Sequence, residues 1–330
     1  MNIGLIGCGG MGQALGGAAA GIEGTKIVAV CDAVPKTTAS AAAKFDADAV
    51  EDASQLMLRD DIDGVLIAAP PFEHADLCID AARAGKHVFV EKPMATTVEA
   101  CDAMAAAAED ADICLMVGHV CRFHEVHATV RQLVHDGAIG DSILISVHRL
   151  GGGWGGPYNQ RWRMQRELSG GTLMEINAHE IDFMRWVCGE VATVSAVGGT
   201  FLQHEADYPD LVLATLHFES GALGLLHASQ VTALGAYGGR IDGTLGSMHF
   251  PALFGKSRDI SFKRLDDAPC PRDLAASQDR DPVRDEIQSW IRAIQEGTEP
   301  PVTGRDGRMT VAIAEAAYAS LDAGHPVTPR

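Results

Sequence analysis

The chain begins with the stretch MNIGLIGCGGMGQALGGAAA, residues 1–20, and this stretch decides the fold of its first part. Residues 2–7 form a short apolar run that is typical of a buried strand, and the alanine-rich residues 11–20 are typical of a helix. Where the two runs meet lies the pattern G-x-G-x-x-G, formed by Gly7-Cys8-Gly9-Gly10-Met11-Gly12. A strand, a glycine turn and a helix in this order predict the first unit of a doubly wound sheet.

The glycines of this pattern have separate physical purposes. Gly7 permits a tight turn, Gly9 lets a pyrophosphate approach the backbone, and Gly12 lets the helix pack closely on the strand. Gly10 and Met11 lie where the helix begins, and the first N–H groups and the positive dipole end of a helix favour phosphate. For the pattern alone, a glycine-rich turn of purely structural purpose remains the alternative.

An acid, Asp32, follows the second predicted strand, residues 26–31. At this distance from the glycine turn, an acid binds the ribose hydroxyls of NAD. Its charge would repel the 2′-phosphate of NADP, and no arginine follows directly, although Lys36 is close. The alternative for Asp32 is a helix N-cap. Together with the glycine turn, Asp32 predicts that the cofactor is NAD in preference to NADP.

Short apolar segments rich in Val, Ile and Leu alternate with alanine-rich helical segments over residues 1–122. The remaining predicted strands of this part are residues 65–69, 87–90 and 113–118, and its other predicted helices are residues 74–84 and 98–108. This alternation indicates βαβ units in an α/β fold, with a doubly wound parallel sheet of the Rossmann type.

The pattern changes after residue 122. Strand-like runs joined by short connections indicate an α+β domain with a large, mostly antiparallel open sheet. These runs are residues 143–148, 191–197, 211–218, 222–230 and 239–241. We therefore predict a dinucleotide-binding domain at 1–122 and a domain for substrate binding and oligomerisation at 123–330. The last helix, about residues 307–323, is a candidate to pack back on the first domain.

Composition excludes several classes of protein. The 330 residues suffice for two domains, and the net charge of −18 argues against a nucleic-acid partner. No run is apolar and long enough to cross a bilayer, and the N-terminus does not read as a signal peptide. The eight cysteines are scattered, which favours reduced thiols and a cytoplasmic protein. Cys121, His124 and His127 have ligand-like spacing but no fourth ligand near in sequence, so we predict no metal site.

Two further motifs carry possible chemistry. Glu91-Lys92-Pro93 directly follows a predicted strand, where a lysine points into the crevice that doubly wound sheets use for ligands. Its ammonium suits a hydroxyl being oxidised, while a solvated turn lysine is the alternative. On one continuous helix, Glu175, His179 and Asp182 would share a face, as a general base with two orienting acids does. An ordinary surface helix with charge pairing is the alternative there.

Taken together, these motifs resemble the glucose–fructose oxidoreductase / inositol dehydrogenase (Gfo/Idh/MocA) family over essentially the whole length. The family's T-P-N-x-x-H segment corresponds to Ala69-Pro70-Pro71-Phe72-Glu73-His74, with Ala for Thr and Pro for Asn. Its E-K-P is unchanged at Glu91-Lys92-Pro93. Its D-x-G-x-H-x-x-D corresponds to residues 175–182, with Glu175 for the first Asp and Asn177 for Gly.

The resemblance implies hydride transfer between nicotinamide and a hydroxyl-bearing carbon of a sugar, sugar derivative or cyclitol. His179 would take the hydroxyl proton, and Lys92 would hydrogen-bond the same oxygen from across the cleft between the domains and lower the pKa of His179. An acid at position 175 orients substrate or base in the family, and the longer Glu175 places its carboxylate differently. The family's E-K-P turn also implies a cis Lys92–Pro93 bond.

The resemblance further supplies the binding residues. The expected cofactor contacts are Gly7, Gly9, Gly10, Met11, Gly12, Asp32, Ala69, Pro70, His74, Glu91, Lys92, Arg122, Trp162 and Arg163. The expected substrate contacts are Lys92, His179, Tyr158, Asn159 and Asn177. The last three could equally be loop or helix-cap residues.

Two other functions remain open, and so does the assembly. One alternative is a glycosidase that retains NAD and oxidises its sugar only transiently, and the other is a nucleotide-sensing regulator, which would not need Lys92 and His179.

We also expect a homodimer or homotetramer through the C-terminal sheet. The alternating positions expected to form its interface are Val194, Ala196, Leu213, Thr215, Leu223 and Leu225.

Overall fold

The computed structural model describes residues 1–153, 160–253, 259–266, 272–273 and 281–330. The chain divides into two compact units, the first made of residues 1–120 and 281–311 and the second of residues 121–280 and 312–330. Across the described ranges, no helix is both long and apolar enough to span a membrane.

The first unit contains a six-stranded sheet in which every neighbouring pair is parallel. Its strands are β1 (Asn2–Ile6), β2 (Lys26–Cys31), β3 (Asp48–Ala49), β4 (Gly64–Ile67), β5 (His87–Glu91) and β6 (Leu115–Gly118). The order β3-β2-β1-β4-β5-β6 is that of the Rossmann fold, so the predicted doubly wound sheet is confirmed. The order reverses between β1 and β4, and ligands of such sheets bind beyond the carboxyl ends of the strands at that point.

Helices connect these strands. They are α1 (Gly10–Ala20), α2 (Pro35–Phe45), α3 (Ala53–Met57), α4 (His74–Arg83) and α5 (Val98–Asp110). The central strands β4 and β5 are buried nearly throughout, which explains their continuous runs of Val, Ile and Phe.

The second unit is built on an eight-stranded sheet with the order β14-β13-β12-β11-β7-β10-β9-β8. Its strands are β7 (Ser142–Leu150), β8 (Val191–Gly199), β9 (Leu211–Phe218), β10 (Leu223–Ser229), β11 (Ala236–Gly243), β12 (Gly246–Phe250), β13 (Ser261–Arg264) and β14 (Arg272–Asp273). β7 and β10 are parallel, and the other neighbouring pairs are antiparallel. The predicted large, mostly antiparallel open sheet is confirmed.

Helices cover one face of this sheet. The helices of this part of the chain are α6 (Glu125–His135), α7 (Arg166–Ser169), α8 (Gly171–Glu175) and α9 (Ala178–Cys188). α9 packs on the sheet so closely that a Cβ atom at Gly224 would lie 2.8 Å from the methyl group of Met184. The ring of Phe183 meets that of Phe250 edge-on, with 6.0 Å between centroids. These contacts fix α9, which carries the predicted general base in its first turn, on the sheet.

Two of the six residues predicted for the interface do not lie on the outer face of the second sheet. Val194 and Ala196 are 0% and 9% exposed, because their register opposite Leu216 and Ala214 turns them to the helix-covered face. Their assignment to the outer face was wrong. The outer face instead carries Val197, which is 66% exposed, beside residues that were predicted there, namely Leu213, Thr215, Leu223 and Leu225.

Two C-terminal helices follow, α10 (Pro282–Glu296) and α11 (Gly304–Ala323). Residues 281–311 belong with the first unit, whereas the sequence assigned 123–330 to the second domain, with only the helix at about 307–323 as a candidate to pack back on the first. The reason is packing, since Trp290 of α10 is fully buried and its ring meets Phe89 of β5 edge-on at 6.1 Å. α11 is divided, its residues up to Val311 lying in the first unit and the rest in the second.

Replacing Trp290 with Ala tests this assignment. Because the indole is 0% exposed and packs on the first sheet, we expect the free energy of unfolding to fall by about 3–5 kcal/mol. Leu58→Ala is the control, since Leu58 is 81% exposed and its loss should change stability by less than about 0.5 kcal/mol. Urea unfolding followed by circular dichroism measures both. Equal stability of the Trp290 variant and the parent would contradict the packing.

Candidate functional site

The glycines between β1 and α1 fall into two physical groups. Gly7 has a φ of +84°, and a Cβ atom there would lie 2.5 Å from the carbonyl oxygen of Ala68. A Cβ atom at Gly12 would overlap the carbonyl oxygen of Gly7. At Gly9 and Gly10, by contrast, an added Cβ atom would meet nothing within 4 Å. The first pair is needed for the turn, and the second leaves an open backbone cradle at the start of α1 that fits a pyrophosphate.

Asp32 is bound to this turn. One oxygen of its carboxylate accepts a hydrogen bond of 2.8 Å from the N–H of Cys8, and the other accepts one of 2.8 Å from the N–H of Val34. Val34, not Asp32, is the N-cap residue of α2. Asp32 therefore links the carboxyl end of β2 to the glycine turn, at the place where the ribose of a dinucleotide lies in this fold.

His74 lies between the loops that follow β4 and β5. Its Nε2 is 2.8 Å from the carbonyl oxygen of Ala69, and its Nδ1 is 2.9 Å from that of Pro93. The residue is 1% exposed, and burial, with a smaller contribution from the charge of Lys92, lowers the pKa of its imidazole although the carbonyl groups oppose this. The ring therefore connects the half-buried Ala69-Pro70 segment to the Lys92-Pro93 turn and holds the two loops together.

The second loop is the Glu91-Lys92-Pro93 turn. Glu91 is buried, and its carboxylate accepts a hydrogen bond of 3.1 Å from the N–H of Lys92. A Cβ atom at Gly118 would lie 3.2 Å from the same carboxylate, which explains glycine at the end of β6. The Lys92–Pro93 peptide bond is cis, so this prediction is confirmed. Lys92 itself is half-buried, directly beyond the carboxyl end of β5.

The predicted continuous helix through Glu175, His179 and Asp182 is wrong for Glu175, while His179 and Asp182 do lie on one helix, α9. α8 ends at Glu175 and α9 begins at Ala178. The N–H of Asn177 binds the carbonyl oxygen of Thr172, five residues back, instead of one four residues back, and this interrupts the helix. The spacing of four residues between Glu175 and His179 therefore does not place them on one helix. His179 lies in the first turn of α9 and is 8% exposed.

Each flanking acid is instead paired with an arginine. Glu175 Oε1 lies 3.0 Å from Nη2 of Arg163, whose guanidinium also stacks on the Trp162 ring at 4.5 Å. Asp182 accepts two hydrogen bonds from Arg122, of 2.6 and 2.8 Å, and the pair is buried. Arg122, Trp162 and Arg163 were predicted as cofactor contacts, and the two arginines hold the acids of the motif.

Asn177 and Glu180 form a further pair that sequence reasoning did not assign. The Asn177 amide donates a hydrogen bond of 2.7 Å to Glu180, and both residues are buried. The signal was present, since Asn at the N-cap and Glu three residues on have the spacing of a capping box. Tyr158 and Asn159, the other predicted substrate contacts, lie outside the described residues.

The Cys121, His124 and His127 cluster is an aromatic packing site. The His127 ring meets Phe183 edge-on at 4.7 Å. Burial lowers the pKa of His127 to about 3 and that of His124 to about 4. In the part of the chain that the structure describes, no group of three His, Cys, Asp or Glu residues could hold a metal ion.

Known proteins share this architecture and these motifs. The model of an oxidoreductase family with an NAD-binding Rossmann fold matches residues 1–119, and that of the GFO/IDH/MocA C-terminal domain matches residues 127–249. Inositol 2-dehydrogenase from Rhizobium meliloti (strain 1021) is 30% identical over 334 residues, which cover 97% of each chain.

Two other relatives bear on the chemistry. The 2,7-anhydro-N-acetylneuraminate hydratase of Escherichia coli (strain K12) is 30% identical over 253 residues, which cover 75% of this chain and 67% of that protein. The structure of levoglucosan dehydrogenase in complex with NADH and levoglucosan has a TM-score of 0.90 and 26% identity, covering 100% of this chain and 99% of that one. The present chain is therefore a member of the Gfo/Idh/MocA family of NAD-binding oxidoreductases.

Proposed function

We propose that this protein is an NAD-dependent dehydrogenase that transfers a hydride between nicotinamide and a hydroxyl-bearing carbon of a sugar, sugar derivative or cyclitol. The observation that carries the proposal is the pair Lys92 and His179, each in its family position. Lys92 follows β5 at the carboxyl end of the first sheet, and His179 lies in the first turn of a helix fixed on the second sheet. A regulator that only senses nucleotide would need neither residue.

The first unit would hold NAD through its own backbone. The open cradle at Gly9 and Gly10 accommodates the pyrophosphate, and the carboxylate of Asp32 accepts hydrogen bonds from the ribose hydroxyls. NAD supplies the hydride acceptor at the substrate carbon. His74 would not touch the cofactor, because both ring nitrogens face carbonyl oxygens, and we assign it to holding the Ala69-Pro70 and Lys92-Pro93 segments in place.

The two reactive side chains have complementary tasks. As the substrate carbon loses its hydride, its hydroxyl must lose a proton, and the neutral imidazole of His179 accepts it. The ammonium of Lys92 donates a hydrogen bond to the same oxygen and stabilises the negative charge that develops there. Glu175 is held by Arg163, so we assign it to fixing the Trp162-Arg163 segment.

The names of two relatives support the proposed substrate class. Inositol 2-dehydrogenase and levoglucosan dehydrogenase are named for ring compounds that carry hydroxyl groups. A panel of free sugars, inositols and anhydrosugars with NAD, followed by the absorbance of NADH, tests the proposal. Accumulation of NADH with at least one compound supports a dehydrogenase, and its absence with every compound counts against it.

A second candidate is a reaction without net oxidation, in which NAD stays bound and is reduced only transiently, as in a glycosidase. The relative named as a hydratase favours keeping this candidate, because adding water to a substrate changes no oxidation state. In that case product would form while free NADH would not accumulate, so the same panel, with products followed by mass spectrometry, distinguishes the two.

Cofactor choice tests the role of Asp32. We expect NAD to bind at least about tenfold more tightly than NADP, a difference of about 1.4 kcal/mol, because the carboxylate would face the 2′-phosphate. The double variant Asp32→Ser, Ala33→Arg should reverse the preference. Direct titration of both cofactors measures it, and equal or tighter binding of NADP by the parent protein would contradict the assignment.

Replacing the reactive residues tests the chemistry. Lys92→Ala and His179→Ala should each lower kcat by about 10²–10⁴-fold, while the Kd for NAD should change by less than about threefold. Lys26→Ala and His135→Ala are matched controls, since both residues are exposed and lie away from the motifs. Near-normal turnover in both active-site variants would contradict these roles and favour a nucleotide-sensing regulator instead.

We also propose a homodimer or homotetramer formed through the outer face of the second sheet. Val197, Leu213, Leu223 and Leu225 lie on three adjacent strands and are each at least 36% exposed. Apolar groups gathered on one face favour burial against another subunit. Light scattering at micromolar concentration should give at least twice the monomer mass, and Leu225→Lys should dissociate the assembly while Leu202→Lys should not. A monomeric parent protein would contradict the proposal.

A further inference from the structure

Glu180 is a buried charge directly beside the proposed general base. It follows His179 in the first turn of α9 and is 0% exposed. Its carboxylate lies 2.7 Å from the amide nitrogen of Asn177 and 3.3 Å from Nη1 of Arg149. Burial, and then the negative charge of Glu180, raises the pKa of Tyr237 well above its ordinary value.

The partners of Glu180 also hold the helix break that precedes His179. Nη1 of Arg149 donates a second hydrogen bond, of 3.0 Å, to the carbonyl oxygen of Ile176. Ile176 and Asn177 are the two residues between α8 and α9. Arg149 therefore holds Ile176 through its carbonyl group, and Glu180 holds Asn177 through its side-chain amide.

The sheet supplies this support in a fixed register. Arg149 of β7 pairs directly with Tyr237 of β11, and the guanidinium lies 5.2 Å from the centre of the Tyr237 ring. Two adjacent strands thus present a cation and a phenol to the same carboxylate. The Glu180 side chain is 0% exposed and that of Arg149 is 32% exposed, so separating the two groups would leave the carboxylate buried without a compensating charge.

We propose that Glu180, held by Arg149 and Asn177, is a positioning residue that fixes His179 for proton transfer. The inference rests on the proposed function, since it assigns a task to Glu180 through the task of His179. The carboxylate ties the first turn of α9 to the sheet, so the backbone that carries the imidazole cannot shift independently. A displacement of about 1 Å of a reacting group can cost about 100-fold in rate.

The variant Glu180→Gln tests this directly, because it keeps the shape of the side chain and removes the charge that binds Arg149. We expect kcat to fall about 10- to 100-fold while KM and the Kd for NAD change by less than about threefold. Arg149→Lys keeps the charge and loses the forked geometry, so it should also lower kcat. This variant tests the inference if Glu180→Gln does not fold.

Glu190→Gln is the matched control. Glu190 accepts two hydrogen bonds from Arg185, of 2.6 and 2.9 Å, and so forms an ion pair at the other end of the same helix. Because the Glu190 side chain is 32% exposed, its loss should lower thermal stability by less than that of Glu180. It should leave kcat within about twofold of the parent, since that pair does not hold the first turn of α9.

A double-mutant cycle with His179→Ala separates the possible outcomes. If Glu180 acts through His179, Glu180→Gln should change the residual kcat of His179→Ala by less than about twofold. An equal loss in both backgrounds, or a normal kcat in both Glu180→Gln and Arg149→Lys, overturns the inference alone. Near-normal turnover of His179→Ala by itself overturns the proposed function and the inference with it.

Discussion

The carbonyl oxygen of Gly7 occupies the space where a side chain at position 12 would place its Cβ atom. This contact sets how closely α1 lies against β1, and therefore where the first turn of α1 opens beside the carboxyl end of the sheet. The N–H of Cys8, within the same turn, binds Asp32, which fixes the end of β2 relative to the cradle. The geometry that we propose for NAD thus depends on one backbone contact that only glycine permits.

In the second unit the corresponding constraint is charge pairing. The three acids of the motif, Glu175, Glu180 and Asp182, each lie against an arginine, namely Arg163, Arg149 and Arg122. These arginines come from a 3₁₀ turn, a strand and another 3₁₀ turn, so the acids tie three separate segments to one short stretch of chain. The acids serve to fix the motif, and His179 is the group within it that we propose moves a proton.

Sequence reasoning succeeded where the signal is local. The glycine turn, Asp32 and the buried strands follow from spacing and hydrophobicity over a few residues. It missed β3, which has two exposed residues, and α2, in which only Thr38 and Ala41 are buried, because neither carries a clear periodic pattern. It missed the helix break at Ile176–Asn177, where no proline interrupts the chain. Long-range partners were also hidden, since Arg122 lies 60 residues from Asp182 and Trp290 of α10 packs on β5.

In the proposed reaction, a hydride leaves a carbon of the substrate and remains on nicotinamide. Its most direct test uses the best substrate of the panel with deuterium at its hydroxyl-bearing carbons, and mass spectrometry of the cofactor after turnover. We expect one deuterium atom in each NADH formed, together with a slower rate than for the unlabelled substrate. Product that forms while free NAD stays unlabelled and unreduced would contradict it, and would show a reaction without net oxidation.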